Sequence, residues 1–150
     1  MDLILWRHAE AEDSFPDRDR ALTAKGRKQA KKMADWLKPR LPQNIRILVS
    51  PTKRTLQTAN ALGLDFSALE EIAPGASPHS LIEAAHWPHD ENSILIVGHQ
   101  PTLGEVAALL LGEQESSWNI KKGAIWWFTS RTPFSGNKCV LRAVVSPDIL

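Results

Sequence analysis

Cysteine is almost absent from this sequence: Cys139 stands alone among 150 residues. An internal disulfide framework is thereby excluded, and a single thiol fits a reducing compartment. An excess of charge of one sign is missing as well. The formal net charge is +1, so no global field draws the chain to nucleic acid or to an anionic membrane. Any affinity for anions has to come from a local cluster of cations. Long hydrophobic runs are also lacking. The longest, Val106 to Leu111, falls far below a membrane span. The N-terminal run Leu3 to Trp6 follows Asp2 and stops at Arg7, too short and wrongly flanked for a secretory signal. These features predict a cytoplasmic protein with neither a membrane nor a nucleic acid as partner. Repeats, low-complexity tracts and linker-like stretches are absent too, which leaves 1–150 as one domain able to bury a core.

Several catalytic signatures are missing. There is no P-loop and no Gly-x-Gly-x-x-Gly. Cys139 has Val145 where a cysteine phosphatase carries its arginine. Gly98-His99-Gln100 is no serine elbow, because Gln100 holds the nucleophile's place. Asp17-Arg18-Asp19 resembles the paired aspartates of another phosphatase class, yet it follows Ser14-Phe15-Pro16 and not a buried strand. His79, His86, His89 and Asp90 match no metal-ligand spacing, and a polar surface accounts for them better.

What is present alternates strand and helix. Leu3 to Trp6 reads as a buried strand, followed by a charged loop from Arg7 to Ala21 containing Pro16. Thr23 caps a helix with the apolar stripe Ala30, Met33, Ala34 and Leu37, ended by Pro39. Ile45 to Val49 is a second strand; Ser50-Pro51 then predicts a cap and a first-turn proline for a helix running to Gly63. A weak strand is expected near Leu69 to Ile72, and Ser77-Pro78 repeats the cap signal ahead of Leu81. Ile94 to Val97 is a further buried strand, and Thr102 with Glu105 predicts a capping box for a helix ending at Gly112. Ala124 to Thr129 and Val140 to Val145 suggest an antiparallel pair turning around Ser135-Gly136-Asn137, with Trp126, Trp127 and Phe128 filling the sheet. The pattern predicts an α/β sandwich with a mostly parallel sheet.

Ligands in such folds sit beyond the carboxyl ends of the strands. Arg7-His8 follows the first strand, Ser50 to Arg54 the second, and Gly98-His99 the strand Ile94 to Val97. Taken singly these are ordinary: an Arg-His pair suits a solvated loop, Arg54 a surface ion pair, His99 a turn. Fold logic nevertheless gathers two arginines and two histidines at one end of one sheet. Two guanidinium forks match phosphoryl oxygens. A neutral imidazole can attack phosphorus, splitting the transfer into two displacements. Neighbouring cations disfavour a charged ring and keep its nitrogen free.

Three stretches carry a resemblance: Arg7-His8-Ala9-Glu10, Ser50 to Ala59, and Gly98 to Gly104. They resemble the histidine phosphatase superfamily, which includes the phosphoglycerate mutases. The segment Arg20 to Gly26, the short length and the ending Val145-Ser146-Pro147 look most like the SixA-type phosphohistidine phosphatases. The resemblance implies a three-layer α/β/α sandwich of the phosphoglycerate mutase-like kind. It also implies that His8 becomes phosphorylated, that Arg7, Arg54 and His99 bind the phosphoryl oxygens, and that no metal or other cofactor is required. Glu71 falls near the mutases' proton-donating glutamate, and is either that acid or a solvated charge. Arg20 lies in the matching loop, and either holds substrate or forms a surface ion pair.

The leading expectation is a phosphatase for phosphohistidine on a protein, such as a histidine-containing phosphotransfer domain. The competing readings are a phosphatase for a small phosphorylated metabolite and a non-catalytic phospho-binding module. The paired histidines oppose the last, since binding alone needs no nucleophile. Between Ala61 and Val97 little chain is left for a lid, so an open pocket with few contacts beyond the phosphoryl group is expected.

Overall fold

The computed structural model describes residues 1–89, 91–112, 116–130 and 139–150. Among these residues six strands form one sheet: β1 (Asp2–Arg7), β2 (Arg46–Val49), β3 (Ser67–Ala68), β4 (Ile94–Gly98), β5 (Ile125–Ser130) and β6 (Cys139–Val145). Their order across the sheet is β3-β2-β4-β1-β5-β6. The pairings β1–β4, β2–β4 and β2–β3 are parallel, whereas β5 runs antiparallel to both β1 and β6. The expected hairpin turn at Ser135-Gly136-Asn137 lies outside the described residues.

The central strands read as unbroken apolar runs because both of their faces are covered. Alternate residues point to opposite sides. Leu3, Leu5, Ile94, Ile96 and Leu48 pack with Leu81 and Ala85 of α3 (Pro78–Ala85) and with Leu103 and Val106 of α4 (Thr102–Gly112). Ile4, Trp6, Leu95, Val97, Ile47 and Val49 pack with Met33, Ala34 and Leu37 of α1 (Ala24–Leu37) and Ala59 of α2 (Lys53–Asn60). The result is a three-layer α/β/α sandwich with a mostly parallel sheet. Each large aliphatic side chain taken fully from water contributes roughly 1.5–3 kcal/mol. Among the described residues no helix is long and apolar enough to cross a membrane.

α1 begins as its sequence requires, the Thr23 hydroxyl accepting from the Gly26 N–H at 2.9 Å, and Ser77 caps α3 in the same way. Three local expectations change. α2 starts at Lys53 with Thr52 as its cap residue, so Ser50 is free of capping and Arg54 is the second residue of the helix; its last turn closes through Gly63 at φ +66°. The Thr102–Glu105 capping box does not form. The Thr102 hydroxyl donates instead to the Ala76 carbonyl at 2.7 Å, and the Gly104 N–H is taken by the Gln100 side chain at 2.8 Å. The weak strand sits at Ser67–Ala68, and Glu70–Ile72 is a 3-10 turn.

Candidate active site

β1, β2 and β4 are parallel neighbours, so their carboxyl ends share one edge. Arg7 and Gly98 are register partners, and the His8 N–H donates to the Gly98 carbonyl at 3.1 Å. His8 and His99 thus leave adjacent strands side by side, with ring centroids 5.4 Å apart and planes inclined at 56°. Ser50, following β2, joins the same edge through its N–H to the Val97 carbonyl at 3.1 Å. His8, His99, Ser50 and Arg54 are all buried.

The hydrogen bonds fix which ring nitrogens carry protons. Nδ1 of His8 lies 2.7 Å from the Ala9 carbonyl, which can only accept. Nδ1 therefore carries the hydrogen, and the lone pair of the neutral ring resides on Nε2. At His99, Nδ1 faces Nη2 of Arg54 at 3.4 Å, and a guanidinium can only donate. Nε2–H of His99 accordingly donates to Ser50 Oγ at 2.7 Å. The Ser50 hydroxyl, legible in sequence only as a helix cap, orients a histidine instead.

Both rings are held neutral. Burial pushes the His8 pKa down to about 4, against the pull of the Ala9 carbonyl, and the charges of Arg54, Arg7 and Arg20 add to the effect. Burial likewise pushes His99 down to about 3, reinforced by His8 and Arg54 and opposed by the carboxylate of Asp17.

Both arginines are anchored by hydrogen bonds to backbone carbonyls. Nη1 of Arg7 donates to the Ile120 carbonyl at 2.8 Å. Arg54 donates Nη1 to the Asp17 carbonyl at 2.8 Å and Nη2 to Asp17 Oδ2 at 3.2 Å. Nε of each arginine is buried without an acceptor among the described residues. An unpaired buried donor costs about 1–3 kcal/mol. The cluster thus holds donor capacity for a ligand rich in acceptor oxygens. Thr58 ties the two halves together, accepting from the Ala9 N–H at 3.1 Å and donating to the Arg54 carbonyl at 2.8 Å.

Asp17, read from sequence only within a discarded motif, proves central. Its Oδ1 also accepts from Nη1 of Arg20 at 3.1 Å, so one carboxylate ties Arg20 to Arg54. The bond from Arg20, then the charge and hydrogen bond of Arg54, hold that carboxyl below its usual range despite some burial. Arg20 further donates Nε to the Glu12 carbonyl at 2.7 Å. The structure therefore gathers Arg7, His8, Arg20, Arg54 and His99. It does not bring Glu71 to them: Glu71 is exposed and lines a separate cleft with Arg46, Glu83 and His86. Its neighbour Glu70 forms a bidentate, solvent-exposed pair with Arg18. Among the described residues no three or more His, Cys, Asp or Glu side chains form a metal-holding group; Asp90 lies outside them.

Residues 3–75 match the model of the histidine phosphatase superfamily (branch 1). The phosphohistidine phosphatase SixA homolog of Haemophilus influenzae is 37% identical over 130 residues, covering 76% of this chain and 79% of that protein. Phosphohistidine phosphatase SixA of Escherichia coli is 32% identical over 119 residues, covering 73% and 74% of the two chains. The solved structure of the protein histidine phosphatase SixA complexed with tungstate superposes with a TM-score of 0.84 at 26% identity, covering 99% of both chains. The chain belongs to the histidine phosphatase superfamily and is a phosphatase.

Proposed function

We propose that residues 1–150 act as one histidine phosphatase domain that removes the phosphoryl group from phosphohistidine on a protein, with His8 as nucleophile. The observation that carries this reading is the His8 ring itself: Nδ1 is committed to the Ala9 carbonyl, while a neutral Nε2 lone pair stands among Arg7, Arg54 and His99. Phosphohistidine as the substrate is supported by the two SixA relatives.

In the first displacement Nε2 attacks phosphorus, the new N–P bond forming as the substrate's N–P bond breaks. The departing imidazole takes the electron pair and leaves neutral when its other nitrogen carries a proton, so little demand falls on an enzyme acid. The Ala9 carbonyl stabilises the Nδ1–H of phosphorylated His8. Arg7 and Arg54 neutralise the equatorial oxygens. A phosphoryl dianion beside His99 opposes the burial and cationic effects that hold its ring neutral. Water then attacks phosphorus, the His8–P bond breaks with its electron pair returning to Nε2, and inorganic phosphate leaves as the monoanion, keeping both of the water's protons.

The experiment is quench-flow with a phosphohistidine peptide. Wild type should accumulate a protein-bound phosphoryl group that is labile in acid and stable in base, as a phosphoramidate is, and His8→Ala should accumulate none and turn over nothing. An adduct with the opposite lability, or a competent His8→Ala enzyme, would remove His8 from the role. Faster turnover of sugar phosphates than of the phosphohistidine peptide would move the substrate to small metabolites.

A further inference from the structure

α1 carries cations where helix physics disfavours them. Lys25, Lys28 and Lys32 recur at three- and four-residue spacing and so stack along one face. Like charges so placed destabilise a helix. Lys25 and Lys28 also stand in its opening turns, where the positive end of the macrodipole repels a cation. No acid occupies that first turn. On another face Lys31 has a partner, Asp35, at 2.8 Å. Among the described residues Lys25, Lys28 and Lys32 form no ion pair.

The row forms one wall of a groove of about 560 Å³ whose opposite side carries Lys121 and Lys122. The acids lining it are Glu10 and Asp148, and Asp148 already pairs with Lys121 at 3.5 Å. Among the described residues, a chain of net charge +1 thus concentrates five lysines against two acids in one depression.

This groove abuts the reaction site. Ile120, just before Lys121, accepts from Arg7 Nη1 at 2.8 Å, and Gly123, just after Lys122, donates its N–H to the His8 carbonyl at 3.0 Å. On the other wall Gln29 accepts the N–H of Glu10, two residues beyond His8, at 3.0 Å. Lysine heads are mobile point charges, suited to an irregular acidic surface more than to one bidentate group. Among the described residues no aromatic side chain lines the groove, so these supply none of the stacking platforms that single-stranded nucleic acids use.

We propose that this groove docks an acidic stretch of the protein that carries the phosphohistidine, supplying affinity that the phosphoryl pocket does not. The inference rests on the phosphohistidine reading above. Charge complementarity of this kind acts mainly on encounter and on KM.

The test uses two phosphohistidine peptides, one flanked by a run of glutamates and one by serines. At low salt the wild type should show about tenfold higher kcat/KM on the acidic peptide, through KM, and salt should shrink the difference. The variant K28E/K32E/K122E should lose that preference while keeping the wild-type rate on the serine peptide. The alanine triple K28A/K32A/K122A should move in the same direction. Equal efficiency of the wild type on both peptides would overturn the proposal, as would a preference that survives in both triple variants. If neither peptide reacts while sugar phosphates do, the phosphohistidine reading fails, and calorimetry with the unphosphorylated acidic peptide decides the groove. Binding that the triple variants lose supports an acid-docking groove, and absence of binding overturns it. Tighter binding of a single-stranded oligonucleotide than of the acidic peptide overturns it in favour of nucleic acid.

Discussion

Arg54 shows what a single side chain contributes here and why lysine cannot replace it. Its two terminal nitrogens are held by the carbonyl and carboxylate of Asp17, while Nη2 also faces His99 and Nε stays buried without an acceptor among the described residues. A lysine ammonium is a point charge that cannot span these positions. Arg54→Lys should lower kcat/KM by more than about tenfold, and a steady-state rate equal to wild type would place Arg54 outside the reaction. Asp17→Asn is the companion. The amide keeps the backbone anchor of Arg54 but removes the charge shared with Arg20, so kcat/KM should fall by about tenfold with the fold intact. Asp17→Glu should restore part of the loss, since it returns the carboxylate; equal damage from both variants would mean that the loop, and not the charge, matters. At this scale the sequence was legible where chemistry follows a strand directly, as in Arg7-His8 and Gly98-His99. It was opaque at Ser50 and Asp17. Each carries a local signal of its own, a cap and an acidic motif, which tertiary partners 49 and 37 residues away override.

Elements were legible in proportion to their burial. β1 and β4 advertise themselves as short unbroken apolar runs, and β2 as one broken only by Arg46, because helices cover both faces. β3 is two exposed residues at the sheet edge, too short to leave a pattern. Helix starts failed where another group took the capping side chain: Thr102 turns to Ala76, and Gln100 reaches Gly104 in its stead. The packing of α1 against the loop after His8 has its own requirement. A Cβ on Gly26 would stand 1.9 Å from the Glu10 carbonyl oxygen, a backbone atom that no side-chain rotation can clear. Gly26→Ala must therefore push residues 9–10 away from α1 and strain the Ala9–Thr58 and Glu10–Gln29 hydrogen bonds. The expected cost is about 1–3 kcal/mol in urea denaturation, despite alanine's better helix propensity. Turnover should fall further than the unfolded fraction explains, because the displaced loop holds Nδ1 of His8; a variant as stable as wild type would show that α1 and this loop are not in contact.

For the molecule as a whole, neutral histidines in a buried site link stability to pH. In the unfolded chain His8 and His99 take up protons near pH 6.5; in the folded chain they do so only near pH 4 and pH 3. Between those limits the unfolded state binds more protons, so stability rises with pH and is lost as the solution is acidified. The contribution is fully present above about pH 6.5 and declines through the window down to pH 4 and below. A tenfold difference in proton affinity between the folded and unfolded chain is worth about 1.4 kcal/mol, which makes the His8 contribution on the order of 3 kcal/mol. That is a large share of a typical 5–15 kcal/mol. The depressed pKa of Asp17 acts in the same direction, but only near and below its ordinary value, so it does not obscure the histidine window. Urea midpoints measured from pH 7.5 to pH 4 should fall steadily for the wild type. His8→Asn and His99→Gln, which cannot take up a proton there, should each flatten the curve by close to one proton's worth of slope and be relatively more stable at pH 4.5 than at pH 7.5. Inorganic phosphate should protect the wild type and lose that effect in both variants, tying the same two rings to oxyanion binding. Parallel curves for the wild type and both variants would mean that the rings titrate as exposed histidines do, and the neutral nucleophile would lose its structural basis.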